Sequence, residues 1–199
     1  MPDCYSNFKE LQSHEQEGQD YRISFSGEWR PVLIIAPHGG RIEPYTTEIA
    51  KWIAGEEFAW YSFEGLKDGV GNRKLHITSH NFDEPVVLRG LKEAGIVLTV
   101  HGLKDSSEEF LMIGGLDSAF GLELSSALQV QGFSVKQSEP RYQGIRTTNI
   151  CNCGRTGKGV QLEISFALRK RVFEDIAYRT RFVDTIRALI KQRLLNVVD

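Results

Sequence analysis

Two short apolar runs, residues 32–37 and 96–100, are the clearest feature of the hydrophobic pattern along the chain. Both are rich in β-branched side chains and end at a turn signal, which is typical of strands buried on both faces of a sheet. Further strands are predicted at residues 58–63, 75–78, 110–113 and 160–165.

Segments with helical periodicity alternate with these runs. Helices are predicted from about Glu43 to Gly55 and at residues 85–94, 118–131 and 180–197. Alternating strands and helices indicate an α/β fold whose mixed, mainly parallel sheet is flanked by helices. No linker divides the chain, so we expect a single domain over residues 1–199. Its polar first segment, residues 1–20, is expected to form a surface arm or helix.

The composition is that of an ordinary globular protein. The chain has 199 residues, a formal net charge of -2 and 41% hydrophobic residues, so global charge indicates no class of partner. No apolar run approaches the roughly 18 residues that a membrane helix requires, and the first residues lack a secretion signal. We therefore expect a cytoplasmic protein made without a signal peptide. Three cysteines, Cys4, Cys151 and Cys153, are expected to be reduced thiols.

Two histidines stand at equivalent positions, each directly followed by glycine: His38 after the first apolar run and His101 after the second. Ligands bind beyond the carboxyl ends of parallel strands, so these imidazoles can converge. Glu43 follows His38 by five residues, across two glycines that let the chain turn back. Singly, each residue also fits a hydrogen-bonding or capping role. Together they form a ligand set that leaves Zn²⁺ one open position for water, and we predict one zinc ion.

Glu163 is the best candidate for a general base. In the run at residues 160–165, strand alternation places Gln161, Glu163 and Ser165 on one face and three aliphatic side chains on the other. A carboxyl group among apolar neighbours is desolvated, which raises its pKa towards a useful range. The alternative is a solvated glutamate on a half-exposed strand.

A basic segment, residues 141–158, carries four cationic side chains and no acidic ones. Arg146 and Arg155 are candidates to stabilise an oxyanion or bind a substrate carboxylate. The sequence does not decide which arginine has which role. Asn149 and Asn152 either orient substrate or form turns. The remaining residues assigned to substrate binding are His80, after the strand at 75–78, and Arg41, in the turn between His38 and Glu43.

The motifs around these residues resemble those of the zinc-dependent poly-γ-glutamate hydrolases of phages and prophages. The resemblance rests on residues 37–44, 79–82, 100–102, 149–152 and 157–165. It implies a zinc carboxypeptidase-like fold, with Zn²⁺ held by His38, Glu43 and His101 and with Glu163 as general base. The implied substrate is an anionic polymer of glutamate joined through γ-amide bonds, which the basic segment suits. Host lysis would release such an enzyme to its substrate.

Two alternatives stay open. The chain could be a deacylase of small N-acylated acidic amino acids, in which case a closed pocket is expected instead of a long open groove. It could also be a non-catalytic, phage-related protein that binds polyanions through residues 141–158. Nucleic acid is not an expected partner, because the basic segment offers only Tyr142 for stacking on bases. A membrane partner is not expected either, and we expect a monomer.

Overall fold

The computed structural model describes residues 3–195. It contains seven strands: β1 (Tyr21–Phe25), β2 (Val32–Gly40), β3 (Ala59–Gly65), β4 (Ile96–Leu103), β5 (Leu111–Gly114), β6 (Val135–Lys136) and β7 (Val160–Ser165). They form one sheet in the order β1-β3-β2-β4-β7-β5-β6. The four central strands, β3, β2, β4 and β7, are parallel, while β1 and β5 run antiparallel to their neighbours β3 and β7. The predicted mixed, mainly parallel sheet is confirmed.

Six helices cover the two faces of this sheet: α1 (Phe8–Gln12), α2 (Thr46–Ala54), α3 (Pro85–Glu93), α4 (Ser118–Val130), α5 (Phe166–Glu174) and α6 (Ile176–Leu195). Alternate side chains of β2 face opposite ways. Ile34 packs in a core with α2, α4, α5 and α6, whereas Leu33 and Ile35 pack in a second core with α1 and α3. Burial on both faces explains why β2 and β4 begin as almost continuous apolar runs.

The structure corrects several expectations. Residues 75–78 do not form a strand: a 3₁₀ helix, Gly69–Leu75, precedes an extended segment. Part of the amino-terminal segment forms helix α1, whose Phe8 and Leu11 are buried in the second core. Strands β1 and β6 and helix α5 were not predicted. The last predicted helix begins earlier, and its final residues, 196 and 197, lie outside the described residues.

Within residues 3–195, none of the helices combines the length and the apolar character that crossing a lipid bilayer requires.

Candidate active site

Three neighbouring parallel strands each bring one candidate residue to the same edge of the sheet. His38 lies near the end of β2, His101 near the end of β4 and Glu163 near the end of β7. The pairing of β2 with β3 shifts register between Ala36 and Gly39. Such a bulge changes the direction of a side chain next to a site. A side chain on Gly39 would collide with the hydroxyls of Ser62 and Thr47, so glycine is required there.

Glu43 folds back onto His38 because its backbone N–H donates to the His38 carbonyl oxygen over 2.8 Å. This turn brings Oε1 of Glu43 to 3.2 Å from Nδ1 of His38. The other carboxylate oxygen, Oε2, accepts a 2.7 Å hydrogen bond from the backbone N–H of Gly102. The Glu43 carboxylate is thus fixed between β2 and β4.

Both imidazoles direct Nδ1 towards the same point. Nε2 of His38 lies 2.8 Å from the Ile77 carbonyl oxygen, which can only accept, so in the neutral ring Nε2 carries the proton and Nδ1 is the nitrogen left to bind a metal ion. Nε2 of His101 lies 3.4 Å from the Ser79 hydroxyl. The two Nδ1 atoms are 3.2 Å apart, and Nδ1 of His101 is 3.8 Å from Oε2 of Glu43.

These separations fit a shared metal ion. Zinc bonds of about 2.0–2.1 Å at the tetrahedral angle place two ligand atoms about 3.3 Å apart. Nδ1 of His38 lies 3.2 Å from Nδ1 of His101 and 3.2 Å from Oε1 of Glu43, while the other carboxylate oxygen of Glu43, Oε2, lies 3.8 Å from Nδ1 of His101. The hydrogen bonds on the far nitrogens of the imidazoles are of the kind that orient metal-binding histidines.

His76 is a second histidine that could complete a metal site, since its ring nitrogen lies within 4.8 Å of ligand atoms of His38 and Glu43. Its Nδ1 is 2.8 Å from Oδ1 of Asp3, and its ring stacks on His38 at a centroid distance of 4.0 Å and an angle of 28°. Ring lone pairs lie in the ring plane, so nearly parallel stacked rings do not aim at one point. The rings of His38 and His101 are inclined by 60°, which suits convergence on one point better.

The electrostatics couple His38 to Glu43: burial lowers the pKa of His38, but the charge of Glu43 and the hydrogen bond to it outweigh burial and raise that pKa above its ordinary value. A proton and a metal ion therefore compete for Nδ1 of His38. Burial raises the pKa of Glu43, but the attraction of His38 and its hydrogen bond outweigh burial and bring that pKa down to about 2. Burial lowers the pKa of His101 to about 3, so its imidazole is neutral at neutral pH. For Glu163, burial and then the nearby negative charge of Glu43 raise the pKa well above its ordinary value.

A chain of amide hydrogen bonds orients Glu163. The Cys151 backbone N–H donates to Oδ1 of Asn149 over 3.1 Å, which leaves the Asn149 amide nitrogen to donate to Oε1 of Gln161 over 3.1 Å. Nε2 of Gln161 then donates to Oε1 of Glu163 over 2.9 Å and to the Tyr142 carbonyl over 3.1 Å. Because a backbone donor fixes the first amide, the direction of the whole chain is determined.

A cleft of about 1230 Å³ opens over these residues. The sequence-predicted residues that line it are His38, Glu43, His101, Glu163, His80, Asn149 and Arg146. Exposed cationic side chains stand around it: Arg73, Lys104, Arg141 and Arg146.

Three predicted residues lie elsewhere. The Arg41 guanidinium contacts Asp68 and two backbone carbonyls on the surface. Arg155 lines a different groove, beside Gly95 and Arg193. The Asn152 side chain is buried and bonded to backbone groups of Gly144, Arg146, Leu116 and Gly159. The structure therefore does not bring these three side chains to the cleft, and the contacts of Asn152 are those of a residue that forms a turn.

Two residues of the cleft were missed by sequence reasoning. His76 was placed inside a strand that does not exist. Arg169 of α5 also lines the cleft and is only 2% exposed. Burial lowers the pKa of Arg169 to about 10, so it stays charged at neutral pH. Nothing in the local sequence distinguishes Arg169 from the exposed cations beside it, Lys170 and Arg171.

The fold and the site are those of a hydrolase, and comparisons with known proteins agree. The family model for poly-gamma-glutamate hydrolase matches residues 5–191, and the chain belongs to this family. The UPF0714 protein YmaC of Bacillus subtilis (strain 168) is 40% identical over 184 residues, which cover 91% of this chain and 77% of YmaC.

Solved structures show the same fold over nearly the whole chain. A bacteriophage poly-gamma-glutamate hydrolase superposes with a TM-score of 0.90 at 28% identity, covering 97% of this chain and 99% of that one. The zinc-free apo structure of YndL gives a TM-score of 0.88 at 32% identity, covering 96% and 98%.

Proposed function

We propose that this chain hydrolyses the γ-glutamyl amide bonds of poly-γ-glutamate with the help of one zinc ion. The observation that carries the proposal is the convergence of Nδ1 of His38, Nδ1 of His101 and the Glu43 carboxylate beside a buried Glu163, on one wall of a large cleft. Family membership supports the substrate, and the description of the related YndL structure as a zinc-free apo form supports the metal.

His38, Glu43 and His101 would hold the zinc ion. When bound, zinc supplies Lewis acidity: it lowers the pKa of water and polarises a carbonyl oxygen. The protein orients these side chains, because the far nitrogen of each histidine has a hydrogen-bonding partner and Gly102 holds the Glu43 carboxylate.

Glu163 acts as the proton acceptor and donor. Its carboxyl group is buried next to His101, and its raised pKa suits a group that must accept a proton from water and return it to the leaving nitrogen. Gln161 holds one oxygen of this carboxyl group, so the other oxygen is free to act on water.

The cleft suits a long anionic substrate. Its volume of about 1230 Å³ exceeds the roughly 300–1,000 Å³ of sites for small molecules. Among the described residues, the exposed cations Arg73, Lys104 and Arg146 at this cleft form no ion pair with a carboxylate, so they are available for the α-carboxylates of successive glutamates. This arrangement favours the polymer over the small N-acylated amino acid.

The proposal is tested with Glu163→Gln, using Glu174→Gln on the exposed end of α5 as the matched control. We expect Glu163→Gln to retain zinc and to lose hydrolysis of poly-γ-glutamate, measured by solution viscosity and by newly formed amino groups. The control should match the wild type in both. Full activity of Glu163→Gln, or a zinc-loaded wild type that leaves the polymer intact but deacylates N-acetylglutamate, would contradict the proposal.

A further inference from the structure

We propose that Arg169 binds the carbonyl oxygen of the scissile amide and stabilises the negative charge that develops there. This inference rests on the proposed function and adds to it a substrate-contacting residue that the sequence did not indicate. It assigns to a buried, fixed arginine the role that the basic segment was expected to supply.

Backbone carbonyls fix the Arg169 guanidinium at the base of the cleft. Nε donates to the Pro44 carbonyl over 2.8 Å, and Nη1 donates to the carbonyls of Leu103 and Ile164. Each acceptor lies within two residues of a functional side chain: Pro44 follows Glu43, Leu103 follows His101 by two, and Ile164 follows Glu163. The guanidinium is therefore held relative to all three segments that build the site.

Part of the guanidinium has no partner on the protein. A guanidinium carries five N–H donors, and the bonds to the three carbonyls use those of Nε and Nη1. Within the described part of the chain, the two N–H groups of Nη2 have no acceptor, and Arg169 lines the same cleft as His101 and Glu163. These two donors remain available to a ligand in that cleft.

The charge of Arg169 also lacks a partner in contact. No carboxylate oxygen of residues 3–195 pairs with this guanidinium, although it is only 2% exposed. A buried charge without a counter-charge in contact is costly, and strongly perturbed ionisable groups in a cleft are typical of functional sites. The carboxylates that act on it, Glu43 and Glu163, do so at longer range.

The guanidinium lies directly beside the proposed metal ligands. A side chain on Gly102 would collide with Nη1 and Nη2 of Arg169, so the guanidinium packs against the residue that follows His101. The backbone N–H of that same glycine donates to Glu43. Arg146, in contrast, is an exposed residue of the loop and lacks this fixed position.

Amide hydrolysis needs a donor at this place. The oxygen of one water bonds to the carbonyl carbon, the C–N bond breaks, and a proton from that water passes through Glu163 to the leaving nitrogen. Between these events the carbonyl oxygen carries a negative charge, which returns to a double bond when the nitrogen leaves. Hydrogen-bond donors that are already directed at this oxygen stabilise the charge and so accelerate the reaction. The loss of one such donor commonly lowers kcat about 10²–10³-fold.

The test compares Arg169→Lys and Arg169→Met with Lys170→Met, an exposed neighbour on α5, all loaded with zinc. We expect kcat on a γ-glutamyl oligomer to fall about 10²–10³-fold for Arg169→Met and less for Arg169→Lys, with KM changed less than threefold. Zinc content should stay near that of the wild type. The affinity for a γ-glutamyl phosphinate, which mimics the tetrahedral geometry, should fall by the same factor as kcat/KM, and Lys170→Met should be unchanged in every measurement.

A purely structural role gives a different result. If the affinities for phosphinate and for an unreactive substrate analogue fall equally in Arg169→Lys, or if either Arg169 variant keeps kcat within twofold, the inference is wrong. These outcomes are separate from failure of the proposed function, in which zinc-loaded wild type would not hydrolyse the oligomer. If Arg169→Met does not fold, two other variants decide the question: Arg169→Lys, and Gly102→Ala, which displaces the guanidinium without changing charge. Both are compared by their affinities for the phosphinate and for the unreactive substrate analogue.

Discussion

His101 and Glu163 are directly paired residues on the adjacent parallel strands β4 and β7. Their side chains point to the same face of the sheet, and both are buried. A proposed metal ligand and the proposed base are therefore positioned by the hydrogen bonds of the sheet rather than by a loop. Sites on regular elements hold their geometry more closely than sites on loops.

The choice between His101 and His76 as third ligand is decided by zinc content. We expect His101→Ala to lose zinc, because the remaining pair, His38 and Glu43, cannot hold the ion alone. His76→Ala should keep about one zinc per chain, since its ring stacks on His38 instead of converging with it. Metal analysis after dialysis measures both, with the exposed His14→Ala as control. Zinc retained by His101→Ala and lost by His76→Ala would reverse the assignment.

Gln161 is expected to set the pH dependence of the reaction through Glu163. Its hydrogen bond stabilises the ionised carboxylate and so lowers the pKa of Glu163, against the larger effect of burial. Gln161→Met removes that bond and should move the acidic limb of the kcat/KM profile to higher pH. The shift should be about 1–2 units, since a hydrogen bond to a charged group is worth about 1.5–3 kcal/mol and one pKa unit about 1.4 kcal/mol.

The pH profile of Gln129→Met, an exposed glutamine on α4, provides the control for Gln161→Met and should match the wild type. An acidic limb of Gln161→Met that stays in place or moves to lower pH would show that Gln161 does not stabilise the ionised form of Glu163.

Two arginines of the basic segment should differ in their effect on substrate binding. Arg146 stands at the cleft, whereas Arg155 lines the groove beside α6. We expect Arg146→Ala to raise KM for poly-γ-glutamate severalfold at low salt, and the increase should shrink as salt screens the charges. Arg155→Ala should leave KM and kcat unchanged. Equal effects of the two substitutions on KM would contradict this division of the segment.

The apolar face of β7 should contribute strongly to stability. Leu162 is fully buried in the core formed with α2, α4, α5 and α6. Leu162→Ala should lower the free energy of unfolding by about 2–5 kcal/mol, as for other buried leucines. Leu122→Ala, at a leucine that is 70% exposed on α4, should change it by less than about 0.5 kcal/mol. Urea denaturation followed by circular dichroism measures both, and similar values would place Leu162 outside the core.

Features that depend on local periodicity could be predicted from the sequence. Strands β2 and β4 begin as short apolar runs, and their buried setting follows from composition. The alternation in β7 correctly separates Glu163 from Leu162. The approach of His38 and His101 follows from the rule that parallel strands end at one edge.

Features that depend on distant partners could not be predicted. Residues 76–78 are extended but do not form a strand, because side chains occupy their backbone groups: His38 bonds the Ile77 carbonyl and Asp3 bonds the Thr78 N–H. The burial of Arg169 depends on carbonyls from three separate segments. Neither relationship leaves a signal in the nearby sequence.

The direction of strand β7 explains why Arg155 lies away from the cleft. Strand β7 is parallel to β4, so it must begin at the opposite edge of the sheet from the active site. The residues just before it therefore cross to that edge, where the backbone N–H of Arg155 donates to the Ala94 carbonyl, before β4 begins. Only the earlier part of the basic segment, which includes Arg146, can reach the cleft.

Anomalous scattering at the zinc edge, measured on crystals of the zinc-loaded protein, tests the central claim most directly. We predict one peak per chain, within about 2.0–2.2 Å of Nδ1 of His38, Nδ1 of His101 and a carboxylate oxygen of Glu43. A peak bound instead by His76, or zinc-loaded crystals of active protein with no peak among these residues, would contradict the account.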